Sequence, residues 1–363
     1  MKQNYTCESA SPLLDYTGAW VPQVGDVPGS SNASSSVRMV SKSNGDSVSF
    51  NFTGTGIWIY PATNTPHGSY DVFLDGTPQR FEPSTGPTDI NAPLFQASNL
   101  QAIPHVLSIH NTEASGSSYL DLAFVTWEER DKYGNATSIS TQGDEDDSSS
   151  MSWHPFDMWM SETEVVAPGP NAGVGAPSIS LIVHTANYSG AWMQYNFSAN
   201  TVSIYGNVGP KQGPYSVLLQ YVLDNGVTTD DADSSYELPD EMFFNASFPV
   251  NRTKVLLFHA TNINASRTTT LKLTNHPDKQ GDSVSIDYSV LARYVTSISS
   301  DGVQSSFPTR HGRFYYRSFA HVRPCVGRTV LPSKTAQSKT HPAAKDQCLP
   351  GSPGETWSAV SGE

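Results

Sequence analysis

Cysteine is nearly missing from this chain, since only Cys7, Cys325 and Cys348 occur in 363 residues. They form no Cys-x-x-Cys motif and no paired framework, so the sequence supports neither a disulfide scaffold nor a zinc site nor a thiol catalyst. A bridge between Cys325 and Cys348 stays open as an alternative. Long apolar runs are also lacking, because no stretch approaches the ~18 residues of a membrane-spanning helix. The sequence therefore predicts no membrane span in this chain.

Charge is scarce and mostly negative. Charged residues make up 15% of the chain, and 34 acidic against 21 basic residues give a net charge of −13. A surface of that sign repels a phosphate backbone, which excludes nucleic acid as a partner held by a general basic surface. Ser, Thr, Asn, Gly and Pro are abundant instead, a composition typical of strands, turns and extracellular proteins.

The motifs of common catalytic sites are absent as well. The chain has no Gly-x-Ser-x-Gly elbow, no His-Glu-x-x-His, no Gly-x-x-x-x-Gly-Lys and no Gly-x-Gly-x-x-Gly after a strand. We therefore predict that the protein is not an enzyme, with no catalytic residues, no cofactor and no metal. A hydrolase that uses two carboxylates across a groove stays open, because sequence alone does not exclude such a pair.

An internal repeat organises the chain. Residues 45–74 align without a gap to residues 190–219, and nine of the 30 aligned positions are identical. After an insertion, the alignment continues by pairing residues 106–110 with 255–259, which matches His110 to His259. In both copies apolar residues alternate with polar ones, which is the period of a strand with one buried face.

This alternation predicts the fold class. Gly54-Thr55-Gly56 is interpreted as a tight turn, since glycine reaches positive φ freely, and Ala199-Asn200-Thr201 as the matching turn of the second copy. Further alternating segments follow at 70–74, 106–110 and 120–126. No segment longer than about ten residues has the helical period. The sequence thus predicts an all-β protein of two tandem antiparallel jelly-roll β-sandwiches.

Composition sets the predicted domain boundaries. Residues 1–132 form the first sandwich, 133–150 an acidic and serine-rich linker, and 151–296 the second sandwich. Residues 297–363 form a basic tail with few large apolar residues beyond its first part, which we predict to be largely disordered.

The motifs also resemble a known family. They are the Tyr-Thr-Gly-Ala-Trp string at 16–20, Gly-x-x-Val-x-Phe-x-Phe-x-Gly-Thr-Gly-Ile at 45–57, Tyr60, and Gly-x-Tyr-x-Val-x-Leu-Asp-Gly at 68–76. Their order is similar to that of galactose-binding-like β-sandwiches, and more narrowly of fungal surface proteins with two such modules, mostly uncharacterised. The resemblance covers residues 12–296. It implies an extracellular or cell-surface location and glycans or cell-wall polysaccharide as partners.

In those relatives a signal peptide precedes the modules and a membrane-spanning helix commonly follows them. Neither feature is visible in this sequence. We interpret the basic tail as a replacement for the anchor that arises by alternative splicing or from a mispredicted reading frame.

Trp58 is the first candidate for ligand binding. It lies between the inward Ile57 and Ile59, so alternation places it on the outer face, where an aromatic plane can stack on the apolar face of a sugar. Tyr60 and its repeat partner Tyr205 complete the candidate set. The alternative is that a neighbouring sheet edge or module covers Trp58. Four other tryptophans are assigned to the core or to contacts between modules: Trp20, Trp153, Trp159 and Trp192.

Four aspartates recur in the aligned copies. Asp75 and Asp224 are interpreted as turn residues, and Asp121 and Asp287 as strand residues that face solvent. A calcium site, which needs six to eight oxygen ligands, is the alternative reading.

Asn-x-Ser/Thr tripeptides occur nine times, beginning at Asn4. They predict N-linked glycans, although a chain rich in Ser and Thr also forms such tripeptides by chance. The glycosylation candidates are Asn32, Asn51, Asn135, Asn187, Asn196, Asn245, Asn251 and Asn264.

The sequence therefore favours an extracellular or cell-surface, non-enzymatic binding protein that recognises carbohydrate. Two alternatives stay open: a structural or adhesive surface spacer with no small ligand, and a polysaccharide-active hydrolase.

Overall fold

The computed structural model confirms the all-β fold class. Its described residues form 22 strands and one short 3-10 helix, Phe156–Met158, and lie in one compact unit. None of the helices they form is long and apolar enough to cross a bilayer. The predicted tail and residues 143–150 lie outside them. The described residues are 2–25, 36–62, 67–83, 92–113, 119–130, 136–142, 151–166, 179–222, 228–229, 238 and 240–295.

The first sandwich consists of ten of these strands. A seven-stranded sheet has the order β1, β10, β5, β8, β6, β7 with β2 beside β5, and a three-stranded sheet has the order β3, β4, β9. The strands are β1 (Lys2–Glu8), β2 (Leu14–Thr17), β3 (Val21–Gly25), β4 (Ser36–Ser41), β5 (Ser47–Tyr60), β6 (Tyr70–Leu74), β7 (Thr77–Phe81), β8 (Phe95–Asn111), β9 (Leu120–Leu122) and β10 (Phe124–Arg130).

The second sandwich has two six-stranded sheets. One has the order β13, β14, β22, β16, β20 with β11 beside β22, and the other has the order β12, β15, β21, β17, β18 with β19 beside β17. The strands are β11 (Ala136–Gln142), β12 (Met151–His154), β13 (Trp159–Val166), β14 (Ile179–Ala186), β15 (Trp192–Phe197), β16 (Thr201–Val208), β17 (Pro214–Val222), β18 (Thr228–Thr229), β19 (Met242–Asn245), β20 (Arg252–Ala260), β21 (Thr269–Asn275) and β22 (Val284–Val295).

β11 lies in the segment that composition assigns to the linker. Ala136–Gln142 pairs with Ser289–Val295 along its whole length. Its Ala-Thr-Ser-Ile-Ser-Thr-Gln sequence has β-branched residues at alternate positions, and it precedes the acidic residues that suggested a linker.

The predicted turn at Gly54-Thr55-Gly56 is wrong. β5 continues through these residues, and its pairing with β8 shifts register between Gly54 and Gly56, which marks a bulge. A Cβ at Gly54 would lie 2.5 Å from the carbonyl oxygen of Glu128, so the close approach of β10 requires glycine there. In the second sandwich the chain does turn, because β15 ends at Phe197 and β16 begins at Thr201 in the other sheet.

The strand registers also correct the later part of the repeat alignment. Tyr70 lies opposite Asn111 in the first sandwich, and Tyr215 lies opposite Asn275 in the second. Both asparagines are fully buried, and each accepts a backbone hydrogen bond at 2.9 Å, from Gly45 or from Gly190. The residue before Asn275 is Thr274, so the counterpart of His110 is a threonine.

The error has a structural cause. β8 is one continuous strand, whereas its second-sandwich equivalent is split into β20 and β21. The segment between these two strands displaces the true counterpart, so His110 cannot correspond to His259, which lies in β20.

Each sandwich has its own buried core. Ile57, Ile59 and Trp127 are fully buried in the first, and Tyr195 and Ile204 in the second. Burial of each large apolar side chain contributes about 1.5–3 kcal/mol, which holds the two layers together. Three of the four tryptophans assigned to the core or to module contacts are there: Trp153 and Trp159 in the second core, and Trp20 packed against both cores.

The two sandwiches contact each other through buried side chains. Leu256 of the second sandwich belongs to the first core cluster, and Val37 and Met39 of the first belong to the second. The Ser11 hydroxyl donates a hydrogen bond to the Leu256 carbonyl oxygen at 2.5 Å. The sandwiches are therefore joined by a packed interface.

Candidate functional site

Trp58 lies on the outward face of the first sandwich. Its neighbours Ile57 and Ile59 are fully buried on the inner face, while Trp58 itself is half-buried. Strand register places Thr126 directly opposite on one side and Gln96 opposite on the other. The outward orientation predicted by alternation is therefore present in the structure.

The lack of a side chain at Gly56 determines the orientation of the Trp58 ring. A Cβ at Gly56 would meet Cη2 of Trp58 at 2.7 Å and Cζ3 at 3.1 Å. The six-membered ring thus leans along β5 over the glycine. A methyl group there would push the ring away from the sheet, so Gly56 is part of the site.

Polar groups surround the ring. Thr6 and Thr126 are hydrogen-bonded through their hydroxyls at 3.2 Å, and Gln96 is exposed. Glu128 lies one row along β10, on the same side of the strand as Thr126. We call the surface formed by Thr6, Trp58, Gln96, Thr126 and Glu128 the Trp58 face.

Glu128 is the charged group of this face. Its carboxylate accepts a hydrogen bond from the Thr55 hydroxyl at 2.6 Å and forms an ion pair with the Lys2 ammonium at 3.0 Å. Burial by itself raises the pKa of Glu128, but the bonds from Thr55 and Lys2 outweigh it and hold the pKa below its usual value. Glu128 is therefore ionised at neutral pH and accepts hydrogen bonds.

Tyr60 lies on the same side of β5 as Trp58, whereas Tyr205 lies in β16 of the second sandwich. The Tyr60 ring stacks on Phe124 with centroids 4.7 Å apart. Tyr205 stacks on Tyr288 at 4.6 Å and packs against the first core cluster, where burial raises the pKa of its phenol. The structure thus brings Trp58 and Tyr60 together and separates Tyr205 from them.

The counterpart of Trp58 in the second sandwich is Ser203, which is only 1% exposed. Its hydroxyl is 2.9 Å from Nδ1 of His259, and Nε2 of His259 is 2.7 Å from Oε1 of Glu129. This order of groups resembles a Ser-His-acid triad. A substrate cannot reach the serine, however, because His259 is enclosed between the rings of Tyr5 and Trp127. The network holds the two sandwiches together.

Asp121 and Asp287 do not face solvent, so that prediction is wrong. They are 0% and 4% exposed. The Asp121 carboxylate lies 2.7 Å from Nε2 of His67 and 3.2 Å from Nη1 of Arg38, and these partners make its burial possible. Asp75 does lie in the predicted Asp-Gly hairpin turn, with a φ of 52°. Asp224 lies outside the described residues.

Within the described part of the chain, no group of three or more His, Cys, Asp or Glu side chains is arranged to hold a metal ion. The calcium alternative therefore has no ligand set among these residues.

The sequence reasoning missed an outward row on the second sandwich. Strand registers align His154, Trp192, Thr274, Ser216 and Phe243 across five neighbouring strands. Phe243 is 69% exposed, which makes it one of the most exposed large apolar residues described. The assignment of Trp192 to the core or to a module contact is wrong, and the alternation of β15 that buries Met193 could have revealed it.

Trp192 differs from Trp58 in what contacts its ring. The His154 ring stacks on it with centroids 3.9 Å apart, and Nζ of Lys272 lies 4.8 Å from the ring centroid. These neighbours occupy space that a sugar would need, so Trp58 is the better stacking surface.

The glycosylation candidates among the described residues are at the surface. Asn264 is partly exposed, and Asn32 and Asn135 lie outside the described part of the chain. The exposed candidates are Asn51, Asn187, Asn196, Asn245 and Asn251.

No protein-family model matches the chain, and no curated protein matches it. Among solved structures, it is similar to the N-terminal CBM22-1-CBM22-2 tandem domain of Paenibacillus barcinonensis Xyn10C, at 12% identity over 78% of this chain and 93% of that chain, with a TM-score of 0.26. It is also similar to the family 32 CBM of C. perfringens NanJ in complex with galactose, at 14% identity over 34% of this chain and 100% of that chain, with a TM-score of 0.20. Similarity at this level assigns no ligand and no residue role.

Proposed function

We propose that this protein is a non-enzymatic carbohydrate-binding protein whose Trp58 face holds a glycan. One observation carries the proposal: the Trp58 ring is outward, leans over Gly56 and is flanked by hydroxyl, amide and carboxylate groups. A pyranose offers an apolar face of C–H groups and a rim of hydroxyls. An aromatic plane beside Thr126, Gln96 and Glu128 complements both parts.

The proposal also covers the setting of the protein. The chain would be an extracellular or cell-surface glycoprotein of the galactose-binding-like type, similar to fungal surface proteins. Its modules would be residues 1–132 and 151–296, with β11 of the predicted linker 133–150 joining the second module, and with a basic tail at 297–363. The exposed sequons support this location, because a sequon receives its glycan only in the secretory pathway.

A structural spacer is the competing function. The buried contact between the sandwiches favours it, because a joined pair of modules presents attached parts at a fixed distance. The two functions make different predictions about Trp58. A glycan-binding protein requires the outward Trp58 ring for binding, whereas a spacer does not require it.

The test is a glycan array and affinity electrophoresis in cell-wall polysaccharides. The proteins are the full chain, Trp58→Ala, and Trp192→Ala as a matched control that removes the other outward tryptophan. We expect Trp58→Ala to lose about 2 kcal/mol, roughly 30-fold in Kd, as central aromatic residues do at other interfaces. Trp192→Ala should bind as the unchanged chain does.

Equal binding by the chain and by Trp58→Ala would refute the site, and no binding by either would favour the spacer. Release of reducing ends from a bound polysaccharide, abolished by Glu128→Gln, would instead support the hydrolase.

A further inference from the structure

Phe243 is an exposed aromatic residue that the Trp58 face does not use. It lies in β19, the edge strand beside β17, and 69% of it is exposed. Its ring centroid is 5.8 Å from that of His276, so one side of the ring has a neighbour. A single exposed apolar ring is common on protein surfaces, so its role depends on the groups beside it.

Asn245 lies on the same side of β19 as Phe243, two residues further along, and is also exposed. Side chains at such positions are about 7 Å apart along a strand. Asn245 begins an Asn-Ala-Ser sequon. A sugar attached to its amide would therefore start within reach of the Phe243 ring.

The fold presents this sequon in a fixed orientation. Ala246 is buried, and its backbone N–H donates to the Gly213 carbonyl oxygen at 3.0 Å. Oδ1 of Asn245 accepts a hydrogen bond from the backbone N–H of Ser247 at 2.9 Å. This bond engages the oxygen of the amide, whereas a glycan is attached through the nitrogen.

We propose that Asn245 carries an N-linked glycan whose first sugar lies with its apolar face on the Phe243 ring. The occupant of the exposed ring would thus be part of the same molecule. The inference is independent of the ligand of the Trp58 face, and it requires only passage through a eukaryotic secretory pathway.

Asn245 is distinguished from the other described sequons by the residue two positions before it. None of the others has an aromatic residue at that position on its strand or loop: Asn4 has Lys2, Asn51 has Ser49, Asn187 has Thr185, Asn196 has Gln194, Asn251 has Pro249 and Asn264 has Asn262. Asn264 is a matched control, because it begins an identical Asn-Ala-Ser tripeptide whose Ser266 N–H donates to Oδ1 at 3.0 Å.

The experiment secretes the full chain from a yeast or insect-cell host behind a secretion signal. Peptide mass spectrometry measures the occupancy of Asn245, and thermal unfolding compares the chain with Phe243→Thr, Ser247→Ala and the double variant. Ser247→Ala removes the sequon but keeps the backbone N–H that Asn245 accepts. We expect each single variant to melt about 2 °C lower and the double variant to melt no lower than either.

The control pair is Ser266→Ala with and without Phe243→Thr, whose effects should be additive. In the glycosylated chain, we expect the acetyl methyl protons of the first sugar at Asn245 to be shifted upfield by the ring, and Phe243→Thr to abolish that shift. An unoccupied Asn245, additive effects of Phe243→Thr and Ser247→Ala, or a sugar spectrum unchanged by Phe243→Thr would each overturn the proposal.

Discussion

The first and second sandwiches use their equivalent core residues in the same way. Tyr70 and Tyr215 each donate a hydrogen bond from the hydroxyl to a backbone carbonyl oxygen, that of Leu94 at 2.9 Å and that of Leu257 at 2.6 Å. All four residues are buried, and each leucine directly precedes the phenylalanine that pairs with the equivalent isoleucine of β5 or β16. The repeated sequence therefore encodes a repeated packing arrangement.

The outward positions differ between the same two sandwiches. Trp58 corresponds to the buried Ser203, and the partly exposed Trp192 corresponds to Ser47. Each sandwich thus has a tryptophan where the other has a serine. Ser203 lies in the contact between the sandwiches, whereas Trp58 is partly exposed, so the two equivalent positions have different surroundings.

The buried polar positions are less similar between the sandwiches than the core residues and more similar than the outward residues. Nε2 of His67 lies 2.7 Å from the Asp121 carboxylate, whereas the counterparts Gln212 and Ser285 form a hydrogen bond between neutral groups at 3.0 Å. The strand registers thus match Asp121 to Ser285 and not to Asp287, which corrects the sequence alignment. The backbone has the same arrangement at both sites. His67 forms a parallel bridge with Tyr119, and Gln212 forms one with Ser283. The same backbone arrangement therefore accommodates either a carboxylate with its partners or two neutral polar side chains.

The largest effect should come from the core, where the sandwiches match. Leu107 and Leu271 occupy equivalent positions, opposite Phe50 and Tyr195, and are 2% and 0% exposed. We expect Leu107→Ala and Leu271→Ala each to lower the free energy of unfolding by about 3 kcal/mol, through lost burial and the cavity left behind. Urea unfolding followed by tryptophan fluorescence measures both. A cost below about 1 kcal/mol for either would break the equivalence.

The next effect should separate the two polar pairs. Asp121→Asn removes the charge that Arg38 and His67 accompany, and we expect a loss of about 2 kcal/mol, less than for a fully buried pair because Arg38 is 22% exposed. Ser285→Ala removes the neutral hydrogen bonds of its hydroxyl with Gln212 and Thr185 and should cost about 1 kcal/mol. Urea midpoints of both variants give the comparison, and equal losses would contradict it.

Sequence alternation predicted the strands and the outward position of Trp58 correctly, because a buried face imposes a period of two on any strand. It predicted the wrong structure for Gly54-Thr55-Gly56, because this tripeptide fits a hairpin turn and a bulge equally well. The register with β8, whose residues are about 50 positions away in sequence, decides between them. The same alternation applied to Trp192 would have placed it outward.

The sequence did not predict the buried polar pairs or the contact between the two sandwiches, and the reason is a different one. Arg38 and Asp121 are 83 residues apart, and Glu129 and His259 are 130 residues apart. No local pattern marks such partners, so the sequence predicts an exposed Asp121, as charged residues usually are. His259 was matched to His110 on a short identity that the strand pairing overrules.

A smaller effect should test the glycine beneath Trp58. In the second sandwich the position equivalent to Gly56 is the buried Thr201, and Ser203 stands in the place of Trp58. Gly56→Ala keeps Trp58 but displaces its ring, so we expect glycan binding about 10-fold weaker, equivalent to about 1.4 kcal/mol. Affinity electrophoresis measures the loss, and circular dichroism checks the fold. Unchanged binding would mean that the ring orientation does not matter.

The smallest effect concerns the two equivalent tyrosines, where Tyr70→Phe and Tyr215→Phe should each cost about 1 kcal/mol at pH 7, the worth of one hydrogen bond. Burial raises the pKa of Tyr70 to about 12, and it raises the pKa of Tyr215 well above 10. Since the unfolded chain ionises near pH 10, each neutral phenol stabilises the fold fully below about pH 10 and progressively less above it. Tyr70→Phe should therefore remove a decline of about 1.4 kcal/mol per pH unit between pH 10 and 12, and unfolding free energies at pH 7 and pH 11 measure it. An alkaline decline that one variant removes and the other keeps would show that the two sandwiches do not bury their phenols alike.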